Sequence, residues 1–394
     1  MRTSDEVHNY PRILETTLER VQSSEICKTN KRAILEFHGF IAAQGLSLAR
    51  QTKSVETLLL IAKRVVKPFR RLTKDDIMAW VMSIETSPYT DWTKRDYKII
   101  FKVFYRWLRN AESYPDEVSW IKSRTGKKGI LPEELITKEE VDKLVQASYS
   151  LRDKAMILVL SESGCRIGEI LSLQMKNISF DQFGAQLIVN GKTGTRRVRI
   201  VANVSALTTW LDNHPLRNDP ESPVWISTGS TNRGKPINYA SALTMLKKLA
   251  KRAGVTKRIY PHLFRHTRAT YLAKRVTEPV MKEEMGWVQS SEQGATYVHL
   301  SGRDVDREIL KLHGIVMKED DQTDGFKALS CLKCGKANSP SSKYCKYCGM
   351  PLDASSVAIS DQVRQKADRL ISALLQDEKI LDRFLDKLDE LRSS

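Results

Sequence analysis

No apolar run in these 394 residues approaches the roughly 18 that a membrane-crossing helix needs. The best stretch, Ala155 to Leu160, has the length of a buried core segment. The N-terminal MRTSDEVHNY has no apolar signal region, so a cytoplasmic location is expected. A glycine-rich nucleotide loop is missing, as are long internal repeats and low-complexity tracts. Cysteine is scarce and uneven: of six, Cys27 and Cys165 stand alone, while Cys331, Cys334, Cys345 and Cys348 cluster. Without a secretion signal the cluster reads as a metal site and not as a disulfide framework.

Positive charge is abundant. The chain has 64 Lys and Arg against 47 Asp and Glu, a net +17. Residues 315–394 hold 13 of each sign, so the entire excess falls on residues 1–314. That footprint favours a polyanionic partner. Its spread over about 300 residues is unlike the single basic amphipathic helix of a membrane-surface binder. The apolar and charged fractions, 41% and 28%, are those of a globular protein with room for two or three domains.

Residues 1–122 read as a helical domain. In its clearest helix, Tyr97, Phe101, Phe104 and Leu108 form one apolar stripe. Lys94, Lys98, Lys102, Arg106 and Arg109 form a basic stripe about 110° round the helix. Like charges at i,i+4 repel by a few tenths of a kcal/mol per pair. Such a stripe therefore suits contact with phosphate, the bland alternative being a solvated face. A linker, 123–135, follows with Gly126, Gly129 and Pro132 as breakers and Lys127 and Lys128 as further candidates for DNA contact.

A capping box opens the next domain, 136–314: Thr137 caps a helix start and Glu140 reaches back. It reads as mostly helical with one strand pair, Gln186–Val189 and Arg197–Val201, flanking a loop from Asn190 to Gly194. Beyond it come an acidic, polar tether (315–328), the cysteine module (329–353) and an amphipathic C-terminal helix (354–394). The fold class expected is mainly α with a small β-hairpin.

Three segments of the second domain carry residues suited to phosphate chemistry. Arg166 lies in the glycine-flanked turn SGCRIGEI, with Glu169 three residues on. In PHLFRHT, His262 and Arg265 share one helical face. Met285-Gly286-Trp287 precedes Tyr297 by ten residues. Each alone has an ordinary structural explanation. In order and spacing, however, Arg166 with Glu169, Lys192 in the hairpin loop, His262 and Arg265, Trp287 and then Tyr297 resemble the tyrosine recombinase family of phage-type integrases and Xer-like resolvases. The resemblance is strong over the second domain and positional only over the first.

Several expectations follow from that resemblance. Tyr297 is the nucleophile of a covalent 3′-phosphotyrosine intermediate on double-stranded DNA. Arg166 and Arg265 clamp the non-bridging oxygens, since guanidinium forks match them in a bidentate way. A preorganised donor of this kind is worth roughly 3–4 kcal/mol at the transition state. The same positive cluster should help Tyr297, a phenol of ordinary pKa about 10, act as an oxyanion. Lys192 is the candidate acid for the departing 5′ oxygen, although Arg196, Arg197 and Arg199 nearby can contact phosphate instead. His262 assists proton transfer or holds the phosphate, and Glu169 orients Arg166. Trp287 stands where many members have histidine; its indole donates one hydrogen bond but cannot shuttle a proton. No cofactor is expected for catalysis, and four protomers are expected to assemble on DNA.

The two CxxC pairs, ten residues apart, fit a small ribbon with four thiolates around a structural zinc. Its lysines and tyrosines suit accessory DNA or protein contact. The expected function is integration or excision of a mobile element. A Xer-type dimer resolvase, a type IB topoisomerase and a non-catalytic DNA-binding regulator are the alternatives.

Overall fold

The computed structural model describes residues 3–123, 131–298 apart from 182, 192 and 231, residue 313, residues 329–352 apart from 332, 340 and 341, and residues 366 and 369. In chain order its helices are α1 (Ser4–His8), α2 (Tyr10–Ser23), α3 (Lys28–Ala43), α4 (Leu48–Val65), α5 (Lys74–Glu85), α6 (Asp91–Leu108), α7 (Asp116–Ser119), α8 (Lys138–Gln146), α9 (Leu151–Ser163), α10 (Ile167–Leu171), α11 (Val204–Asp212), α12 (Tyr239–Arg252), α13 (Pro261–Ala273), α14 (Glu278–Met285) and α15 (Gln293–Val298). The strands are β1 (Ile178–Asp181), β2 (Gly184–Gly191), β3 (Gly194–Ile200), β4 (Leu329–Ser330) and β5 (Ala337–Asn338). Two compact units result. One comprises Met1–Glu134, Ile167–Ser172 and Ile226–Thr244; the other comprises Leu135–Arg166, Leu173–Trp225 and Met245–Ser394.

In the first unit, α2 to α6 close over an aromatic core in which Phe37, Phe69, Phe101, Phe104 and Tyr105 are buried. Phe101, Phe104 and Leu108 occupy the inner face of α6 as the apolar stripe requires, with Tyr97 packed at its edge. Tyr105 is wholly buried, and its hydroxyl donates to the carbonyl of Phe69 at 2.7 Å. That bond removes the penalty of an unsatisfied buried hydroxyl, about 1–3 kcal/mol.

The basic stripe on the same helix differs from expectation at its centre. Lys98 is buried, with its ammonium 2.7 Å from the Glu85 carboxylate, so it is not a surface phosphate contact. Lys94 donates to the Glu85 carbonyl and Lys102 to that of Ile121, while Arg109 pairs with Glu117 at 2.9 Å. The stripe's mutual repulsion is thus relieved from within its own unit. Only Arg106 and Arg109 lie on the exposed surface.

The second unit is built round α9, whose residues Ala155, Met156, Ile157, Val159 and Leu160 are all fully buried. A helix apolar all round belongs inside a core, and α8, α11 and α13 pack against it. The Thr137–Glu140 capping box at the start of α8 is made in both directions. Near the end of α9, buried Glu162 accepts from the amides of Val201, Ala202 and Asn203 and from the Asn203 side chain. Those four donors compensate its charge and tie β3 to α11.

The expected strand pair is a three-stranded antiparallel sheet in the order β1-β2-β3. Only one residue of β1, Ile178-Ser-Phe-Asp, is even half-buried, so no alternation in sequence marks this strand. The β2–β3 pairing runs as far as Gly191 and Gly194, beyond the strand ends expected from sequence. In the cysteine module, β4 and β5 pair. The amides of Gly335 and Gly349 bond back to the carbonyls of Cys331 and Cys345, closing two knuckles. Of the expected terminal helix only Lys366 and Arg369 are described, both helical. The tether lies outside the described residues, as does a short apolar helix expected around 305–312.

Candidate active site

Two left-handed glycines organise the site. Gly164 (φ 60°) terminates α9 and Gly286 (φ 61°) terminates α14. A Cβ at Gly164 would sit 2.8 Å from the Arg268 side chain, and one at Gly286 would sit 2.5 Å from the Arg196 guanidinium. The left-handed backbone favours glycine at each position, and at Gly164 the stem of Arg268 also leaves no room for a Cβ.

Backbone carbonyls at these turns orient the arginines. Buried Arg265, in the first turns of α13, donates to Gly164 O at 3.0 Å and to Met285 O at 2.6 Å. Arg166, in the turn between α9 and α10, donates through both terminal nitrogens to Gly286 O at 3.3 Å. Two arginines 99 positions apart in sequence therefore meet on consecutive carbonyls. Backbone carbonyls thus help hold both guanidinium groups in place.

Tyr297 is brought to the same place by packing. It is buried on α15 in a cluster with Ala269, Leu272, Met281, Met285 and Trp287. The Trp287 ring stacks on Tyr297 at 5.6 Å and 12°, and the Arg265 guanidinium lies 5.3 Å over the other aromatic, Trp287. Burial raises the Tyr297 pKa above the ordinary phenol value, and Arg265 opposes that rise without overcoming it. The expected depression is thus not present in this state; desolvation outweighs the cation.

His262 lies one helical turn from His266 on α13, their rings edge-on at 4.7 Å. Although His262 presents surface to solvent, desolvation by the surrounding protein lowers its pKa, and Arg265 and Arg166 lower it further. All three groups therefore share one electrostatic neighbourhood. Glu169 is buried in α10, which belongs to the first unit. Lys192 lies outside the described residues. Its neighbour Thr193 donates to Gly286 O at 3.1 Å, the carbonyl that also anchors Arg166.

Arg196 is not the outward phosphate contact expected. Its side chain turns inward, donates to Glu284 O at 3.0 Å and lies across Gly286. Arg197 is exposed on β3, whereas Arg199 is paired with Asp181 through both terminal nitrogens. Lys127 and Lys128 lie outside the described residues.

One residue of the site carried no role in the sequence reading. His266 Nδ1 is 2.6 Å from the Tyr297 hydroxyl. Burial, then His262 and Arg265, hold its pKa down to about 4. Its i,i+4 relation to His262 was the available signal, but only tertiary structure brings α15 across that face.

The four cysteine sulfurs form a second cluster, all within 4.8 Å of one another. Cys331–Cys348 and Cys334–Cys345 are each 3.6 Å apart. A tetrahedral ion with metal–sulfur bonds of about 2.3 Å needs sulfurs roughly 3.8 Å apart, so the set fits a metal. The module rests on α11 of its own unit: Ser339 Oγ donates to Asn203 Oδ1 and Lys346 Nζ to Thr208 Oγ1, both at 3.4 Å. Among the described residues no helix is long and apolar enough to cross a membrane.

One helical unit thus brings together two carbonyl-anchored arginines, a histidine pair and a buried tyrosine. Residues 134–303 match the phage integrase family. Transposase A from transposon Tn554 of Staphylococcus aureus is 28% identical over 202 residues, 48% of this chain and 55% of the transposase. The chain thus spans about half the length of that relative. Tyrosine recombinase XerD of Bifidobacterium longum is 24% identical over 244 residues, 58% of this chain and 78% of the recombinase. Among solved structures, a lambda integrase dimer bound to a COC′ core site shares the fold with a TM-score of 0.56 at 15% identity, covering 69% of this chain and 77% of that one.

Proposed function

We propose that the chain is a site-specific DNA recombinase that cuts and rejoins strands through a 3′-phosphotyrosine, serving the integration or excision of a mobile element. The observation that carries this reading is the anchoring of Arg166 and Arg265 on the consecutive carbonyls of Met285 and Gly286, beside the Trp287–Tyr297 stack. The Tyr297 oxygen attacks the scissile phosphorus, and the 5′ oxygen departs. Charge grows on the non-bridging oxygens, where the two guanidinium forks receive it. Trp287 packs the nucleophile, and His262 holds the phosphate. Lys192 protonates the leaving oxygen; the Thr193 bond to Gly286 supports this by tying the turn beside the Arg166 anchor. Because the phosphotyrosine conserves the bond energy of the cut strand, ligation needs no nucleotide.

Double-stranded DNA is the substrate, met by the positive charge of residues 1–314, and four protomers complete the exchange. The Tn554 transposase relative supports an element-borne enzyme, with a dimer resolvase, as in the XerD relative, the alternative. Zinc is the ion for the four cysteines, where it supplies folding energy to a ribbon too small for its own core. A nicked suicide duplex carrying the DNA that flanks the gene tests the reading. Wild-type protein in EDTA should trap a covalent adduct and Tyr297→Phe should not. An adduct formed by the Phe variant removes Tyr297 from its role.

A further inference from the structure

The sequence motifs leave one buried polar contact of the site without a function. His266 sits one turn beyond His262 on α13, and its Nδ1 is 2.6 Å from the Tyr297 hydroxyl, a short contact between a ring nitrogen and a phenol. The rings of the two residues are 5.9 Å apart and tilted by 36°, so the bond is made at their edges. Tyr297 and Trp287 stack on its other side. The nucleophile is therefore held between an aromatic wall and a nitrogen.

On the recombinase reading above, we propose that His266 is a catalytic residue: it orients the Tyr297 hydroxyl and takes its proton as the phosphotyrosine forms. The Oη–phosphorus bond forms while the bond from phosphorus to the 5′ oxygen breaks. The phenolic proton passes to His266 Nδ1, and the departing 5′ oxygen takes a proton from Lys192. On religation the 5′ hydroxyl attacks phosphorus and gives its proton back to Lys192, while the P–Oη bond breaks and the His266 imidazolium returns its proton to the leaving Tyr297 oxygen. This assigns the two ends of the displacement to different groups and leaves His262 for the phosphate.

The electrostatics agree with an acceptor. Burial disfavours a proton on His266, and His262 and Arg265 on the same helix disfavour it further. Arg166 acts on His262, and Tyr260, preceding α13, acts on Tyr297. The acidic groups packed nearby, Glu162 of α9 and Glu284 of α14, act on Arg268. The imidazole is thus neutral before the reaction, as a base must be. Its Nδ1 then accepts, with the proton on Nε2. When the incoming phosphate occupies the arginines, their opposition to the imidazolium is relieved. That makes proton uptake easiest where substrate is bound.

Single-turnover cleavage of the suicide duplex by the full chain tests this. His266→Ala should lower the rate by about 10²- to 10³-fold, with DNA binding unchanged and with partial recovery on adding imidazole. His266→Asn, which offers an acceptor near the Nδ1 position but binds no proton, should be comparably slow. The pH–rate profile of both should lose the wild-type limb. A duplex with sulfur in place of the bridging 5′ oxygen should restore Lys192→Ala and leave His266→Ala slow, since sulfur departs unprotonated. A rate for His266→Ala within about twofold of wild type, or a wild-type rate for His266→Asn, overturns the base role. No adduct with wild-type protein overturns the recombinase reading together with this one. An adduct with unaffected His266 variants overturns this one alone.

Discussion

Arg265 and Arg166 donate to the adjacent carbonyls of Met285 and Gly286, so one turn at the end of α14 sets the spacing of both guanidinium groups. Three residues expected from sequence to be catalytic, Arg166, Arg265 and Trp287, depend on the path of the chain through Met285 and Gly286. The hairpin adds a fourth dependence through Thr193.

Gly286→Ala should therefore damage catalysis more than folding. A methyl group there meets the Arg196 guanidinium at 2.5 Å and imposes a left-handed φ on alanine. Backbone strain of this kind costs on the order of 1–3 kcal/mol, which a melting curve will register as a modest loss. Shifting the carbonyl moves the Arg166 anchor, and cleavage should fall about 10²- to 10³-fold, the effect typical of one misplaced oxyanion donor. Wild-type cleavage by a folded variant would show that the carbonyl does not position the arginine.

Thr193 tests the hairpin turn. Thr193→Val keeps the shape and removes the hydroxyl that bonds Gly286 O at 3.1 Å. Cleavage of an ordinary phosphodiester should slow by about tenfold, the equivalent of one neutral hydrogen bond of about 1.4 kcal/mol. A bridging 5′ sulfur should erase the defect, because that leaving group needs no proton from the turn. Equal slowing on both substrates would place Thr193 in phosphate binding instead.

Acid should destabilise the protein before its carboxylates titrate. The pKa values of His8, His214, His262 and His266 are all lowered, the last to about 4. In the unfolded chain histidine takes up a proton near pH 6.5. Between pH 6.5 and about 4 the unfolded state thus binds more protons than the folded one, and stability falls with pH. For His266 the loss is about 2 kcal/mol after allowing for its partial solvent contact. Melting temperatures at pH 7 and 5 will measure it, and His266→Asn should flatten the slope.

Metal removal should act locally. The four sulfurs sit within 4.8 Å of one another, and the module meets α11 only through Ser339 and Lys346 among the contacts described. A thiol-directed mercurial should release about one zinc per chain, seen with a colorimetric chelator. Deleting the residues after 316 should leave strand cleavage intact and alter assembly or choice of site. Loss of cleavage by a folded truncation would assign the module a part in the chemistry.

Some of this protein was legible because the physics concerned is local. The α6 stripe and the capping box of Thr137 and Glu140 depend on residues within a turn or two. So does the pairing of His262 with Arg265 on one face of α13. The two CxxC knuckles likewise need only their own short turns, with Gly335 and Gly349 at positive φ. The basic residues of α6 misled for the converse reason: Glu85 and Ile121, which bind Lys98 and Lys102, lie outside the helix's sequence window.

Sequence by itself determined which chemical groups are available, in what order, and on which helical faces. Tertiary structure alone decided that Arg196 turns inward, that Tyr297 is desolvated against Trp287, and that His266 meets its hydroxyl. Those outcomes depend on where chain segments 10 to 88 residues apart come to rest. A side chain's partner, and with it the state of its proton, is a property of that packing.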